Sequence, residues 1–157
     1  MTLVDTNLLI YATFEDVPEH RRARAWLEEE LAAGEGMVVL CWPVVYAFVR
    51  LVTSPRVFGR HALPIKKAWA TAGSLLAQPA VRLVVPGKGH ARLAAELAGT
   101  PGLRSEDVPD IEIAALAIEH GLTLASHDHG FRRFQGVRHL DPLAEPRQRK
   151  RVRTRPD

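Results

Sequence analysis

The chain has 157 residues, 46% of them hydrophobic and 25% charged, which suits one globular domain with a sizeable core and leaves no need for a second. Its formal charge of +3 sits at the end, where Arg147, Arg149, Lys150, Arg151, Arg153 and Arg155 stand against Glu145 and Asp157, so the rest is electrostatically balanced. A single Cys41 excludes an internal disulfide, no apolar run can span a membrane and no signal pattern follows Met1; the expected setting is a reducing cytoplasm.

Apolar runs alternate with amphipathic stretches from the start. Thr2 to Val4 reads as a short buried strand, followed by Asp5-Thr6-Asn7 and the apolar run Leu8 to Ala12. A helix is predicted from about His20 to Ala33, with Ala23, Trp26, Leu27 and Leu31 on one face and Gly34 just past its end. Met37 to Cys41 is a second strand. Pro43 opens a helix through Val44, Phe48 and Leu51 that stops before Ser54-Pro55. Arg56 to His61 reads as a loop. Ile65, Ala68, Trp69, Ala72 and Leu76 repeat at helical spacing, Val81 to Val85 forms a third strand, and a short helix with Leu93 and Leu97 ends at Gly99. The polar segment Thr100 to Asp107 leads into a helix carrying Ile111, Ala114, Ala115 and Ile118, closed by Gly121. Leu122 to Ala125 is the fourth strand, and Val137 to Leu140 a shorter edge strand. This alternation predicts an α/β chain, a three-layer α/β/α sandwich around a parallel sheet of four to five strands over residues 1–143. Residues 144–157 form a basic tail, rich in charge and proline, expected to be disordered.

In an open α/β sheet, ligands bind outside the carboxyl ends of the strands. Asp5 follows the first strand there, and Asp128 follows the fourth through Ser126-His127. Asp110 lies in the first turn of the helix that leads into that fourth strand, so its carboxylate belongs at the same edge. Singly, Asp110 is also an ordinary acid for a first helical turn and Asp128 an ordinary turn residue before Gly130. Together the three converge, and crowded carboxylates either share protons or hold a cation. A hard divalent ion is the better solution, and it suits metal-assisted phosphodiester hydrolysis. Asn7 and Ser126, each two residues from a key aspartate, can support the site by hydrogen bonding, or serve as caps. His127 and His129 should share one face opposite Asp128 and are read as surface histidines. No serine-hydrolase elbow, P-loop or dinucleotide fingerprint occurs.

Leu3-Val4-Asp5-Thr6-Asn7, Pro109-Asp110 ahead of Ile113 to Ala117, and Ser126-His127-Asp128 before Phe131 resemble the PIN domain. Pro55-Arg56-Val57-Phe58 and the segment Gly130 to Gly136 resemble one subgroup of its VapC-like toxins. The resemblance covers Leu3 to Leu143. It implies an endoribonuclease toxin dependent on Mg²⁺ or Mn²⁺, cleaving structured RNA such as tRNA or rRNA, forming a homodimer and neutralised by a VapB-like antitoxin. By position, Asp5, Asp110 and Asp128 match the acidic catalytic and metal-binding set. Arg132, Arg133 and the six basic tail residues are the expected RNA contacts.

Two positions depart from that pattern. A glutamate usual in the helix after strand two is replaced by Ala47, and a further acid two residues beyond the last aspartate by Gly130. Glu112 or Asp107 is the acid that could compensate. The departures leave open a PIN-like module that binds RNA or antitoxin with weakened catalysis. A phosphatase using Asp5 as nucleophile is disfavoured, because Asn7 stands where its second aspartate belongs.

Overall fold

A computed structural model describes residues 1–145 of the chain. Five strands form one parallel sheet: β1 (Thr2–Val4), β2 (Val38–Cys41), β3 (Val81–Val84), β4 (Thr123–Ala125) and β5 (Arg138–Leu140), in the order β3-β2-β1-β4-β5. Position in the sheet explains strand composition. The central strands β1 and β2 are buried throughout and apolar apart from Thr2, whereas the edge strand β5 exposes Arg138 and Leu140.

The helices are α1 (Thr6–Thr13), α2 (His20–Ala32), α3 (Trp42–Val52), α4 (Pro55–Phe58), α5 (Ile65–Leu76), α6 (His90–Leu97) and α7 (Val108–Glu119). α1 packs on α2 and α3, α3 packs on α5, and α6 packs on α7. The connections from β1 through β2 to β3 step one way along the sheet, and those from β3 through β4 to β5 step the other. Right-handed crossovers running in opposite directions place their helices on opposite faces, which makes the sandwich. The reversal falls between β1 and β4, where an open sheet leaves its ligand crevice.

The segment Arg56 to His61, expected as a loop, is ordered instead. Pro55 starts the single turn of α4, and Gly59–His61 continues as a 3₁₀ turn. Proline at the first helical positions forfeits no hydrogen bond, and Gly59 takes φ +53°, which lets the chain change direction between the turns. Phe58 stacks on Phe14 with ring centroids 4.2 Å apart and so ties the segment to the end of α1. At the other end of the fold, Gly121 stops α7 in the left-handed region at φ +62°, while Leu122 N–H donates to the Ala117 carbonyl. That stop aims the chain straight into β4.

The basic tail lies outside the described residues from 146 onward, and with it Arg147, Arg149, Lys150, Arg151, Arg153 and Arg155. Just before it, Arg22 of α2 donates to the Leu143 and Ala144 carbonyls.

Candidate metal centre

β1 and β4 are neighbours in register, Val4 beside Ala125, so the residues that follow them emerge side by side. Asp5 is the cap of α1 and is buried, with its Oδ1 accepting the Thr6 N–H at 2.6 Å and its Oδ2 accepting the Ser126 hydroxyl at 2.6 Å. Ser126 is fully buried and is the hub of the site. Its Oγ donates to Asp5 and accepts from Asn7 Nδ2 at 3.0 Å and from the Asp128 N–H at 2.9 Å. Asn7 also accepts the His127 N–H at 3.4 Å. Asp128 is exposed, and its Oδ1 accepts the Gly130 N–H at 2.7 Å. The structure therefore brings Asn7 and Ser126 to the two strand-end aspartates.

Asp110 arrives on the first turn of α7, half-buried. Burial, then the charges of Asp5 and Asp128, push its carboxyl up to about 6, with Arg133 opposing. Asp5 is also raised, by burial first; hydrogen bonds from Ser126 and Thr6 counter this and Asp128 adds to it. The three carboxylates thus feel one another, as their chain positions predict. Among the described residues Arg133 alone reaches in as a counter-charge, 3.5 Å from Asp110 Oδ2.

Arg133, expected as an RNA contact, keeps its side chain 31% exposed and also pairs with acids of this edge. It donates to Asp107 Oδ1 at 2.6 Å, and Asp107 Oδ2 accepts the Arg104 N–H at 2.7 Å. The Arg133 bond, with that from Arg104, holds Asp107 below the usual carboxylate range. Asp107 is therefore occupied. Glu112, the other compensating candidate, is half-buried, and its charge is felt at the Cys41 thiol, which burial, Glu112 and Asp5 push up to about 12. Ala47 on α3 is half-buried and supplies no oxygen. Arg132 is exposed, with its Nε donating to His139 Nδ1 at 3.3 Å. Phe131 and Phe134, both buried, pin the segment that carries these arginines; truncating either to alanine should cost about 3–5 kcal/mol.

One residue at this edge went unread in the sequence. Asp141, just past β5, accepts from His127 Nδ1 at 3.0 Å and from His129 Nε2 at 2.8 Å. The two histidines share one face, as alternation predicts, but they are tied to a buried carboxylate and are not free surface groups.

A divalent cation fits this donor set. The oxygens are hard, and the charges of Asp5 and Asp128 add to burial in raising the Asp110 carboxyl, with Arg133 opposing. Among the described residues no three His, Cys, Asp or Glu side chains are already drawn into a cage for an ion. An open site suits a hydrated ion held by few carboxylates and completed by substrate phosphates.

Comparison with known proteins gives a consistent result. The family model described as "PIN domain" matches residues 2–137. Ribonuclease VapC33 of Mycobacterium tuberculosis is 36% identical over 145 residues, covering 92% of this chain and 100% of the relative. Among solved structures, VapBC2 from Rickettsia felis, bound to a DNA fragment of its promoter, superposes with a TM-score of 0.66 at 15% identity, covering 88% of this chain and 96% of that one. M. tuberculosis VapC20, a toxin that cleaves the sarcin–ricin loop, gives 0.65 at 17% identity, covering 88% and 98%.

Proposed function

The chain belongs to the PIN-domain family, and from that premise we propose that it is a metal-dependent endoribonuclease toxin of VapC type, which cuts structured RNA and is neutralised by a VapB-like antitoxin. The observation that carries the reading is the convergence of Asp5, Asp110 and Asp128 at the point where the sheet reverses direction, with Asp110's carboxyl pushed up to about 6. PIN-domain nucleases use divalent metal ions, and in this chain Asp5, Asp110 and Asp128 would hold Mg²⁺ or Mn²⁺. Such an ion supplies a lowered water pKa and a polarised phosphoryl oxygen.

The protein's own groups do the positioning. Thr6 and Ser126 occupy one lone pair on each Asp5 oxygen, so the buried carboxylate has one orientation. Gly130 N–H takes Asp128 Oδ1 and so restrains the carboxylate. Asn7, through Ser126, locks the two strand ends together. Arg133 tempers the charge on Asp110 and stands where a phosphate oxygen could displace part of its pairing with the acids.

Other features support the partners. An apolar groove between α1, α2, α3 and α5, lined by Leu9, Ala12, Leu27, Leu31, Phe48 and Leu75, suits the apolar face of an antitoxin helix. The exposed aromatic cluster Trp42, Tyr46 and Trp69 on α3 and α5 suits a homodimer. No helix among the described residues is long and apolar enough to cross a membrane, and an RNA substrate with one buried thiol accords with the cytoplasm.

Ala47 favours a second reading, a PIN-like binding module with weakened catalysis, because α3 supplies no acid. One experiment separates the two. Purified, antitoxin-free protein is incubated with total RNA plus Mg²⁺ or Mn²⁺, or plus EDTA, and cut ends are mapped. Defined cuts that EDTA abolishes support the nuclease; RNA binding without cuts in either metal overturns it.

A further inference from the structure

Asp141 has no part in the chemistry above, yet its contacts converge on the metal centre. Its side chain is only 2% exposed. Oδ1 accepts from His127 Nδ1 at 3.0 Å and from the Leu143 N–H at 2.9 Å, and Oδ2 accepts from His129 Nε2 at 2.8 Å and lies 3.1 Å from His127 Nδ1. The bond to Leu143 is an ordinary turn made by an aspartate before Pro142. The two histidines are not explained by the turn. They are the residues immediately before and after Asp128, and one carboxylate grips both.

Asp128 needs such a grip. It is exposed, it follows a strand of three residues, and among the described residues its own bonds run to its near neighbours Ser126 and Gly130. Lateral support comes from β5. Ser126 N–H donates to the Leu140 carbonyl at 2.9 Å, the Ser126 carbonyl lies 2.9 Å from His139 Nε2, and Asp141 continues directly from that strand. Burial pushes the Asp141 carboxyl up, but the histidine bonds outweigh it and bring it below the ordinary range, so the carboxylate stays ionised and accepting.

We propose that Asp141 is a positioning residue that sets the affinity of the metal centre: by holding His127 and His129 from β5 it fixes the segment that presents Asp128 to the cation. The inference rests on the reading of Asp5, Asp110 and Asp128 as cation ligands. Groups that orient metal ligands are worth roughly 10- to 100-fold in affinity when removed. Asparagine at 141 offers one oxygen where the carboxylate offers two, so it can hold the turn or one histidine but not the whole set.

The test uses the full chain and Mn²⁺ itself, with free ion counted by electron paramagnetic resonance and folding followed by thermal melts in EDTA. Asp141→Asn should weaken Mn²⁺ binding by about tenfold or more. Asp141→Glu should recover part of that loss. RNA cleavage should fall at limiting Mn²⁺ and return toward the parent rate at saturation, a split that simple destabilisation does not produce. If Asp141→Asn fails to fold, the double variant His127→Gln, His129→Gln, which leaves the turn to Leu143 in place, must show the same weakening. Parental Mn²⁺ affinity in a folded Asp141→Asn or double-histidine variant, with affinity lost in Asp128→Asn, overturns the proposal and leaves the site standing. Parental affinity in Asp128→Asn overturns both.

Discussion

Asn7 Nδ2 donates to Ser126 Oγ over 3.0 Å, a bond between residues 119 positions apart. With it the Ser126 hydroxyl is saturated, its proton on Asp5 and both lone pairs taken by Asn7 and the Asp128 N–H. Ser126→Ala therefore removes the partner of three polar groups, of which the Asp5 carboxylate is buried. It should lower folding stability by about 1–3 kcal/mol. The loss should be larger at pH 8 than in acid, because the hydroxyl donates to the ionised form of Asp5. Urea denaturation at both pH values measures it; an unchanged midpoint would mean that water substitutes for the hydroxyl.

Asp110 gives a pH-dependent test. Its folded-state carboxyl, pushed to about 6 by burial and then by Asp5 and Asp128, holds a proton longer than the ordinary value of 3.8 allows. The folded state thus binds more protons than the unfolded chain between those values, and the penalty grows as pH rises and is complete above 6. Asp110→Asn should abolish cleavage, as should Asp5→Asn and Asp128→Asn. It should also stabilise the metal-free protein above pH 6, by about 1–2 kcal/mol once solvent screening of a half-buried group is allowed for. Below pH 4 the two proteins should melt alike. Saturating Mn²⁺ should reverse the ranking, since only the parent gains from the ion. A less stable Asp110→Asn protein at pH 8 in EDTA would contradict the crowding argument.

Gly130 stands where the resemblance to VapC-like toxins leads one to expect an acid, which makes Gly130→Asp look like a repair. The geometry says otherwise. A Cβ there would sit 2.9 Å from Asp128 Oδ1, the oxygen held by Gly130's own N–H. Gly130→Asp should weaken Mn²⁺ binding and cleavage, and Gly130→Ala, which adds the same carbon without charge, should do likewise. Higher activity in Gly130→Asp, measured at several Mn²⁺ concentrations, would show that the loop yields and the acid is used.

The basic tail is tested by salt. Since the body is nearly neutral, its six basic residues are the strongest long-range attraction for RNA. Truncation after Glu145 keeps the carbonyls that Arg22 holds. The shortened protein should cleave normally at saturating RNA but bind more weakly, with its log–log salt slope flattened by roughly 0.7 for each single-strand phosphate no longer neutralised. Superimposable slopes would make the tail a bystander and leave attraction to local groups such as Arg132.

Much of this was legible in the sequence because its signals are local. The helices over His20–Ala32, Trp42–Val52 and Ile65–Leu76 follow from apolar spacing and stop signals, and the observed ends lie within a residue or two of the expected ones. Asp5, Asp110 and Asp128 were readable because each stands at a strand end or helix start, where topology alone fixes the edge. What escaped depends on contacts between distant segments. Asp141 before Pro142 has the local signature of a turn, and its bonds to His127 and His129 exist only because β5 pairs with β4. Arg133 is exposed, but nothing nearby in sequence reveals that it pairs with Asp107 and Asp110. The α4 turn was missed because four residues are too few for a helical period.

The place of β1 at the middle of the sheet has a consequence during synthesis. The first strand made needs β4, made more than a hundred residues later, as its second neighbour, and Asp5 needs Ser126 from the same late segment. A ribosome that has not yet released residue 128 carries a chain with Asp5 and Asp110 but no third acid, and with one side of β1 unpaired. The candidate centre therefore closes only once residue 128 has been made and β4 has paired with β1, and the earlier part of the chain alone does not assemble it.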